Sequence, residues 1–355
     1  MLVNKKENTV SKQCKETACQ KKTSIGGQAL IEGIMMRGPK KSAMAVRNPE
    51  GEIVLEVWET QTKKSAKFTR LPIIRGVFGF ISSMKIGYKA LMRSAEIAGF
   101  EDEPKAELPT EEVTDAEETN AKKESEGSKK ESFLMGILMV VASILGVALA
   151  IGLFVMLPTF LYKWCSAWLP FLAPENAALK SLVTSAFEGI LKIIILVAYM
   201  LLVSLMKDIR RTFQYHGAEH KTIFCYEHGI ELTVENVRRE RRFHPRCGTS
   251  FLVLMLLVGM FISFFIDPLF LWLTGDIPPT FLRALLKLLL LPITMGVGYE
   301  LIKLAGRRDN RFTRIISAPG LWLQRVTVLE PTDDMIECAI TAFKEVIPED
   351  ESDKF

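Results

Sequence analysis

The sequence predicts a mainly α polytopic membrane protein: four transmembrane helices plus a small cytoplasmic α+β unit formed by the N- and C-terminal segments. Three observations predict it. Hydrophobic residues make up 48% of the 355 and crowd into long runs between 133 and 304, the pattern of membrane spans rather than of a globular core. Lys and Arg gather in alternate loops between those runs. The flanking segments carry strand and helix patterns mixed with charged residues.

In chain order, residues 1–24 are polar and predict a disordered N-terminus. They lack a secretory signal, which predicts a cytoplasmic first segment. Residues 25–100 read as an α+β segment. "SAMAVRNPEGEIVLEVWET" predicts a hairpin, with turn chemistry at "NPEG" and Ile53, Leu55 and Val57 alternating along one strand face. Residues 71–99 predict an amphipathic helix with Arg75, Lys85, Lys89 and Arg93 on one face. That helix either lies on an anionic membrane surface or packs on the hairpin. In "GGQALIEGIMMRGP" (26–39), glycines 26, 27, 33 and 38 predict tight turns or close backbone approach, and the segment lacks the pattern of a phosphate loop. Residues 101–131 hold 12 acidic and 5 basic residues, a net −7 that leaves +11 elsewhere, and predict an acidic disordered linker.

The membrane domain is expected over 132–304, with spans at 133–157, 181–206, 251–273 and 281–304. Asp267 and Pro268 predict a late break in the third span, and Arg283, Lys287 and Glu300 sit in the fourth. Glu188 and Lys192 in the second are an i, i+4 pair, read either as an ion or proton path or as a neutral pair near the outer interface. Nine Lys and Arg fall in the loop 207–248, two in 158–180 and none in 274–280. The expectation is therefore a bacterial inner membrane protein with loop 207–248 and both termini cytoplasmic. Beyond the last span, 305–355 predicts a strand at 320–331, joining the hairpin's sheet, and a capped helix at 332–346.

All four histidines of the chain lie between 216 and 244. "HGAEH" places His216 and His220 one helical turn apart with Glu219 beside them, the H-x-x-E-H pattern. Two neutral imidazoles at that spacing chelate one divalent cation, and an adjacent carboxylate can take a proton from water held there. Cys225, Glu227 and His228 follow, then "HPRC" adds His244 and Cys247. Three readings compete: an open catalytic site, a closed structural zinc such as His216, His220, His244 and Cys247, and histidines that only form hydrogen bonds. Glu227, His228 or His244 is preferred as third ligand. Glu300 is an outsider, because it lies about 9 Å inside the fourth span; Gly217 and Thr212 permit the helix bend it would need. Cys225 and Cys247 carry the rival reading of a thiolate nucleophile. Six scattered cysteines give no disulfide framework.

The blocks "GGQALIEGIMMRGP", "YHGAEHKTI", "HPRCGTSF" and "APGLWLQ" closely resemble the YqhQ-like family of bacterial membrane proteins. The resemblance runs from 25 to 346 apart from the linker, and the family is described as predicted metal-dependent enzymes. It implies a metal site at His216, Glu219 and His220, extending to His244 and Cys247. It also suggests that segment 26–39 lines the same cleft, with Gln28 among its polar residues, Arg37 binding an anionic group and Glu32 as support or ligand.

The resulting expectation is a zinc-dependent (or other divalent-metal) hydrolase at the cytoplasmic membrane surface. Its partners would be the bilayer and a membrane-associated substrate, with no nucleic acid. Glu219 would be the base, and Arg37 or Arg246 would steady negative charge. The alternatives are a non-enzymatic transporter or channel, and a scaffold with a structural zinc.

Overall fold

A computed structural model describes residues 22–60, 69, 71–100, 138, 141–275, 278–307 and 310–354. Most of the expected N-terminal disorder (1–21) and the whole acidic linker (101–131) lie outside the described residues. The chain is mostly helical, with a small antiparallel sheet at its N-terminal end. Residues 22–24, expected to be disordered, are held in place: Thr23 is buried, bridges to Lys354, and its hydroxyl donates to Asp353 at 2.8 Å.

The sheet is a four-stranded meander of β1 (Gly26–Leu30), β2 (Gly33–Arg37), β3 (Lys41–Arg47) and β4 (Ile53–Glu59). The hairpin expected at 42–60 is β3–β4. The segment 26–39, read as tight turns or close backbone approach, is a second hairpin closed at Ile31 and Glu32, where Glu32 has φ 48°. Its glycines serve close approach: a Cβ on Gly27 would stand 2.8 Å from the Met35 carbonyl oxygen and 2.9 Å from the Glu219 carboxyl carbon. Both faces of β2 and β3 are covered, which explains their unbroken apolar runs.

On one face, Leu30, Met35, Met44 and Val46 pack with Ala90 of α1 (Ile74–Ile97). The helix thus leans on the sheet with its C-terminal half. Its N-terminal half meets the last apolar helix, through Arg75–Glu300 and the close packing of Gly76 on Tyr299.

Three helices are long and apolar enough to cross a membrane: α2 (Val141–Trp168), α3 (Ala177–Val203) and, further on, α6 (Gly248–Thr274). The first is described some ten residues further along than expected, and includes a π-helical turn at Gly152–Met156. After α3 the chain breaks at 204–206, and α4 (Lys207–Glu227) begins with Met206 in extended conformation. The bend therefore precedes Thr212 and Gly217, the two residues credited with permitting it. α5 (Val234–Arg239) is a short helix in the loop that leads to α6.

α6 does not break at Pro268. Asp267 is neutralised by Arg283 at 2.9 Å, and the helix runs through Pro268 to Thr274. α7 (Thr280–Leu289) and α8 (Leu291–Arg307) form a pair bent by 44°, which makes a fourth apolar span if counted as one.

The strand expected at 320–331 is not formed. Residues up to Thr327 belong to α9 (Arg311–Thr327), started by an Asn310–Thr313 capping box and seated where Gly320 meets Ser250 of α6. Tertiary packing overrides the β-branched "VTV" here. Only the residues just after it are extended, and Leu329 bonds to the Phe213 carbonyl rather than to the sheet. α10 (Asp333–Val346) then covers the second sheet face: Met335, Ile336, Ala339, Phe343 and Val346 join Ile34, Met36, Ala43, Ala45 and, from α4, Tyr215 and Ala218 in one core.

α4 is thus wedged between β1, α10 and segment 328–331. Gly217 marks the tightest point, where a Cβ would stand 1.9 Å from the Leu329 carbonyl oxygen. Gly217→Ala therefore forces backbone apart and is expected to cost about 3 kcal/mol, read as a lower thermal unfolding temperature of the full-length protein in detergent.

Candidate metal centre

α4 carries His216, Glu219 and His220 into the core, and the helix is buried from Gly217 to Cys225. Cys247 reaches the same point from the N-cap of α6. The metal-binding atoms of His216, His220 and Cys247 lie within 4.8 Å of one another, and this is the one such grouping among the described residues.

The ring orientations are set by backbone carbonyls. His216 Nδ1–H donates to the Thr327 carbonyl at 3.0 Å, at the C-terminal turn of α9, where helix carbonyls lack intrahelical partners. His220 Nδ1–H donates to the Arg242 carbonyl at 2.5 Å. Each imidazole is thereby held with its Nε2 lone pair free. His216 Nε2 then points at Cys247 Sγ, 3.1 Å away, and the two rings pack edge to face with centroids 4.5 Å apart. Burial pushes the pKa of His220 down and so favours its neutral form. Burial opposes ionisation of Cys247, but its interactions with His220 and Thr249 bring its thiol pKa below the ordinary value. A helix N-terminus acts in the same direction.

Glu219 is fully enclosed. Its Oε1 accepts from Gly27 N–H at 3.1 Å, while Oε2 has no partner among the described residues. Burial pushes its pKa up to about 7; nearby His216 and the Gly27 bond moderate that rise. Gly27 also lines a cavity of about 310 Å³ together with Gln28, Arg37 and Ser83.

The other named residues are engaged elsewhere. His244 packs against the His220 ring at 5.6 Å, but its Nδ1 accepts from Arg246 N–H at 3.3 Å and its Nε2 stands 3.2 Å from the Arg246 guanidinium, so both ring nitrogens face Arg246 rather than the point where His216, His220 and Cys247 meet. His228 donates through Nδ1 to Glu240 at 3.0 Å and stacks on Phe224. Glu227 accepts from Thr23 N–H at 2.8 Å and pairs with Arg246. Arg246, expected to face developing charge, instead braces Glu227 and the Thr23 carbonyl. Glu32 pairs with Arg211 and Tyr215, so it supports α4 rather than offering a ligand. Glu300 is committed to Arg75 at 2.6 Å. Cys225 donates to the carbonyls of Ile230 and Glu231, and burial pushes its thiol up to about 12, which removes it as a nucleophile.

Sequence reasoning missed the carbonyls of Arg242 and Thr327, for which no side chain signals. It also missed Gln324, a fully buried amide that accepts from His244 N–H at 2.8 Å and donates to the His244 carbonyl at 2.7 Å. Gln324 ends the block "APGLWLQ", so that block was its signal.

Residues 71–349 match the model of a family described as "Protein of unknown function (DUF1385)". The "Uncharacterized protein YqhQ" of Bacillus subtilis (strain 168) is 32% identical over 328 residues, covering 91% of this chain and 92% of that one. The chain belongs to this YqhQ-like family. The family match takes in the entire donor set, from His216 to Thr327, and omits the sheet that supplies Gly27. No solved structure matches the chain.

The Glu227 pairing gives a pH signature. Burial alone would raise its pKa, but His244 and Arg246 outweigh burial and hold it down at about 2, below its ordinary 4.5. A depressed carboxylate stabilises the fold above pH 4.5, and that contribution drains away as pH falls towards 2. Glu227→Gln is expected to destabilise the protein by about 3 kcal/mol at neutral pH, with the difference from wild type shrinking over that acid window in chemical or thermal unfolding.

Proposed function

We propose that the chain is a bacterial inner-membrane protein, with both termini and the histidine centre on the cytoplasmic side, and that it is a metal-dependent hydrolase. His216, His220 and Cys247 would hold zinc or another divalent ion. Charged loops support the orientation: nine Lys and Arg in 207–248 against none in 274–280.

The observation that carries the metal reading is a proton deficit. Two Nε2 lone pairs and one sulfur converge with few protons to share, those of the Cys247 thiol and of the Thr249 hydroxyl 3.2 Å from the sulfur. With the Cys247 thiol ionised, the three become acceptors facing one another, an arrangement that a cation between them would relieve. Tethering each Nδ1–H to a carbonyl is how metal-binding imidazoles are commonly oriented. Three protein donors with His244 turned away leave an open position, which favours a reactive centre over a closed structural one.

A divalent ion in that position supplies Lewis acidity, lowering the pKa of water towards about 7 and polarising the oxygen of an acyl or phosphoryl group. The chain's own residues divide the remaining work. Glu219 is the base: its unpartnered Oε2 receives the proton of the attacking water, and Gly27 N–H holds the other oxygen still. Arg37, lining the adjacent cavity, is placed for an anionic group of a membrane-associated substrate.

Purified full-length protein should carry about one equivalent of divalent metal per chain, by the ligand count of such sites. His220→Ala and Cys247→Ala should lose it and Glu219→Gln should retain it. In the cobalt-substituted protein, a sulfur-to-metal charge-transfer band should vanish in Cys247→Ser. In vesicles of bacterial lipid, metal-loaded Glu219→Gln should fail to hydrolyse the ester or phosphodiester lipid that wild type cleaves. Wild type without metal overturns the reading, and so does metal bound by four protein donors. For the topology, a periplasm-dependent reporter should be active when fused after Gly275 and silent after Gly229.

A further inference from the structure

Away from the histidines, a second polar centre lies among the apolar helices. Glu188 and Lys192 of α3 were read as partners. The two do attract each other, but the close partner of Glu188 is Lys287 of α7 at 2.6 Å, and Glu188 also accepts from Thr159 of α2 at 3.0 Å. Lys192 forms no hydrogen bond or close ion pair among the described residues. It is the sixteenth residue of a 27-residue helix, roughly 22 Å from one end and 16 Å from the other at 1.5 Å per residue. A lysine side chain does not span either distance, so its ammonium cannot snorkel to the interface.

Lys192, Lys287 and Glu188 all line one cavity of about 220 Å³, with Ser185, Ser263 and Thr294 among its other walls. The π-helical turn of α2 contributes Phe154 and Val155. The three charged side chains of the lining sum to +1. In a low-dielectric interior an uncompensated cation needs a counter-charge. The volume holds roughly seven waters at about 30 Å³ each, enough for a hydrated halide or a short carboxylate but too little for a phospholipid headgroup with its glycerol.

We propose that this cavity binds a small monovalent anion, a halide or short carboxylate, between Lys192 and Lys287 inside the helix bundle. The inference rests on the membrane part of the preceding reading and on none of its metal chemistry. Five helices, α2, α3, α6, α7 and α8, contribute to the cavity, which places it inside the bundle.

The test is saturable binding of radiolabelled chloride and of radiolabelled acetate to full-length protein in detergent, by scintillation proximity. Lys192→Met replaces the ammonium with an apolar side chain of similar length and should weaken both ligands by at least about tenfold. Glu188→Gln removes the competing anion and should tighten both by a similar factor. A misfolded protein cannot show that gain, so the second variant guards against misreading the first. Absence of saturable binding in wild type, unchanged affinity in Lys192→Met, or no gain in Glu188→Gln overturns the proposal. Metal content should be unchanged in both variants, so the two readings stand or fall separately.

Discussion

Two hydrogen bonds govern the histidine centre: His216 to the Thr327 carbonyl and His220 to the Arg242 carbonyl. Neither adds much stability alone, since a net intramolecular hydrogen bond is worth about 1 kcal/mol. Their weight lies in direction. Each spends the one N–H of a neutral imidazole on a backbone acceptor and leaves the opposite nitrogen as a lone pair. Because both rings leave one face of α4, those lone pairs meet, and Cys247 arrives between them at the start of α6. The identity of the helix residues matters less to this outcome than where α9 ends and how the 240–247 loop returns.

The rest of the architecture supplies those two carbonyls. Gln324 grips both backbone groups of His244 and its amide also donates to Ser250 at 2.9 Å, which clamps the loop to α9 and α6 together. Arg246 and Glu227 close the other side and reach Thr23. Lys221 extends from the same helix to the Arg238 carbonyl at 2.8 Å. Polar groups buried this densely are costly unless satisfied, and here almost all are. Glu219 Oε2, beside the histidine pair, finds no partner among the described residues.

What could be read from the sequence follows from how local each signal is. The β3–β4 hairpin announces itself through a turn and an alternating strand, both short-range. Apolar runs announce the helices that can cross a bilayer, and the i, i+4 histidines announce a shared face. β1 and β2 hide because glycines at contact points look like turn residues and because strands covered on both faces do not alternate. α9 hides because its β-branched end is held helical by packing on α6. The partner of Glu188 hides because Lys192 is four residues away and Lys287 is 99, and only the close packing of helices makes the distant one nearer. Carbonyl tethers have no side-chain signature and could not be found from residue types at all.

The centre is also gathered from the whole length of the chain. Gly27 comes near the start, the histidines and Cys247 from the middle, Thr327 and the covering helix α10 from close to the end. A nascent polypeptide that already includes α2, α3 and α6 still lacks the acceptor for His216 and the wall behind Tyr215. During biosynthesis the imidazole pair therefore lacks its tethers until the ribosome has nearly finished, and a prematurely truncated product carries the apolar helices without the centre.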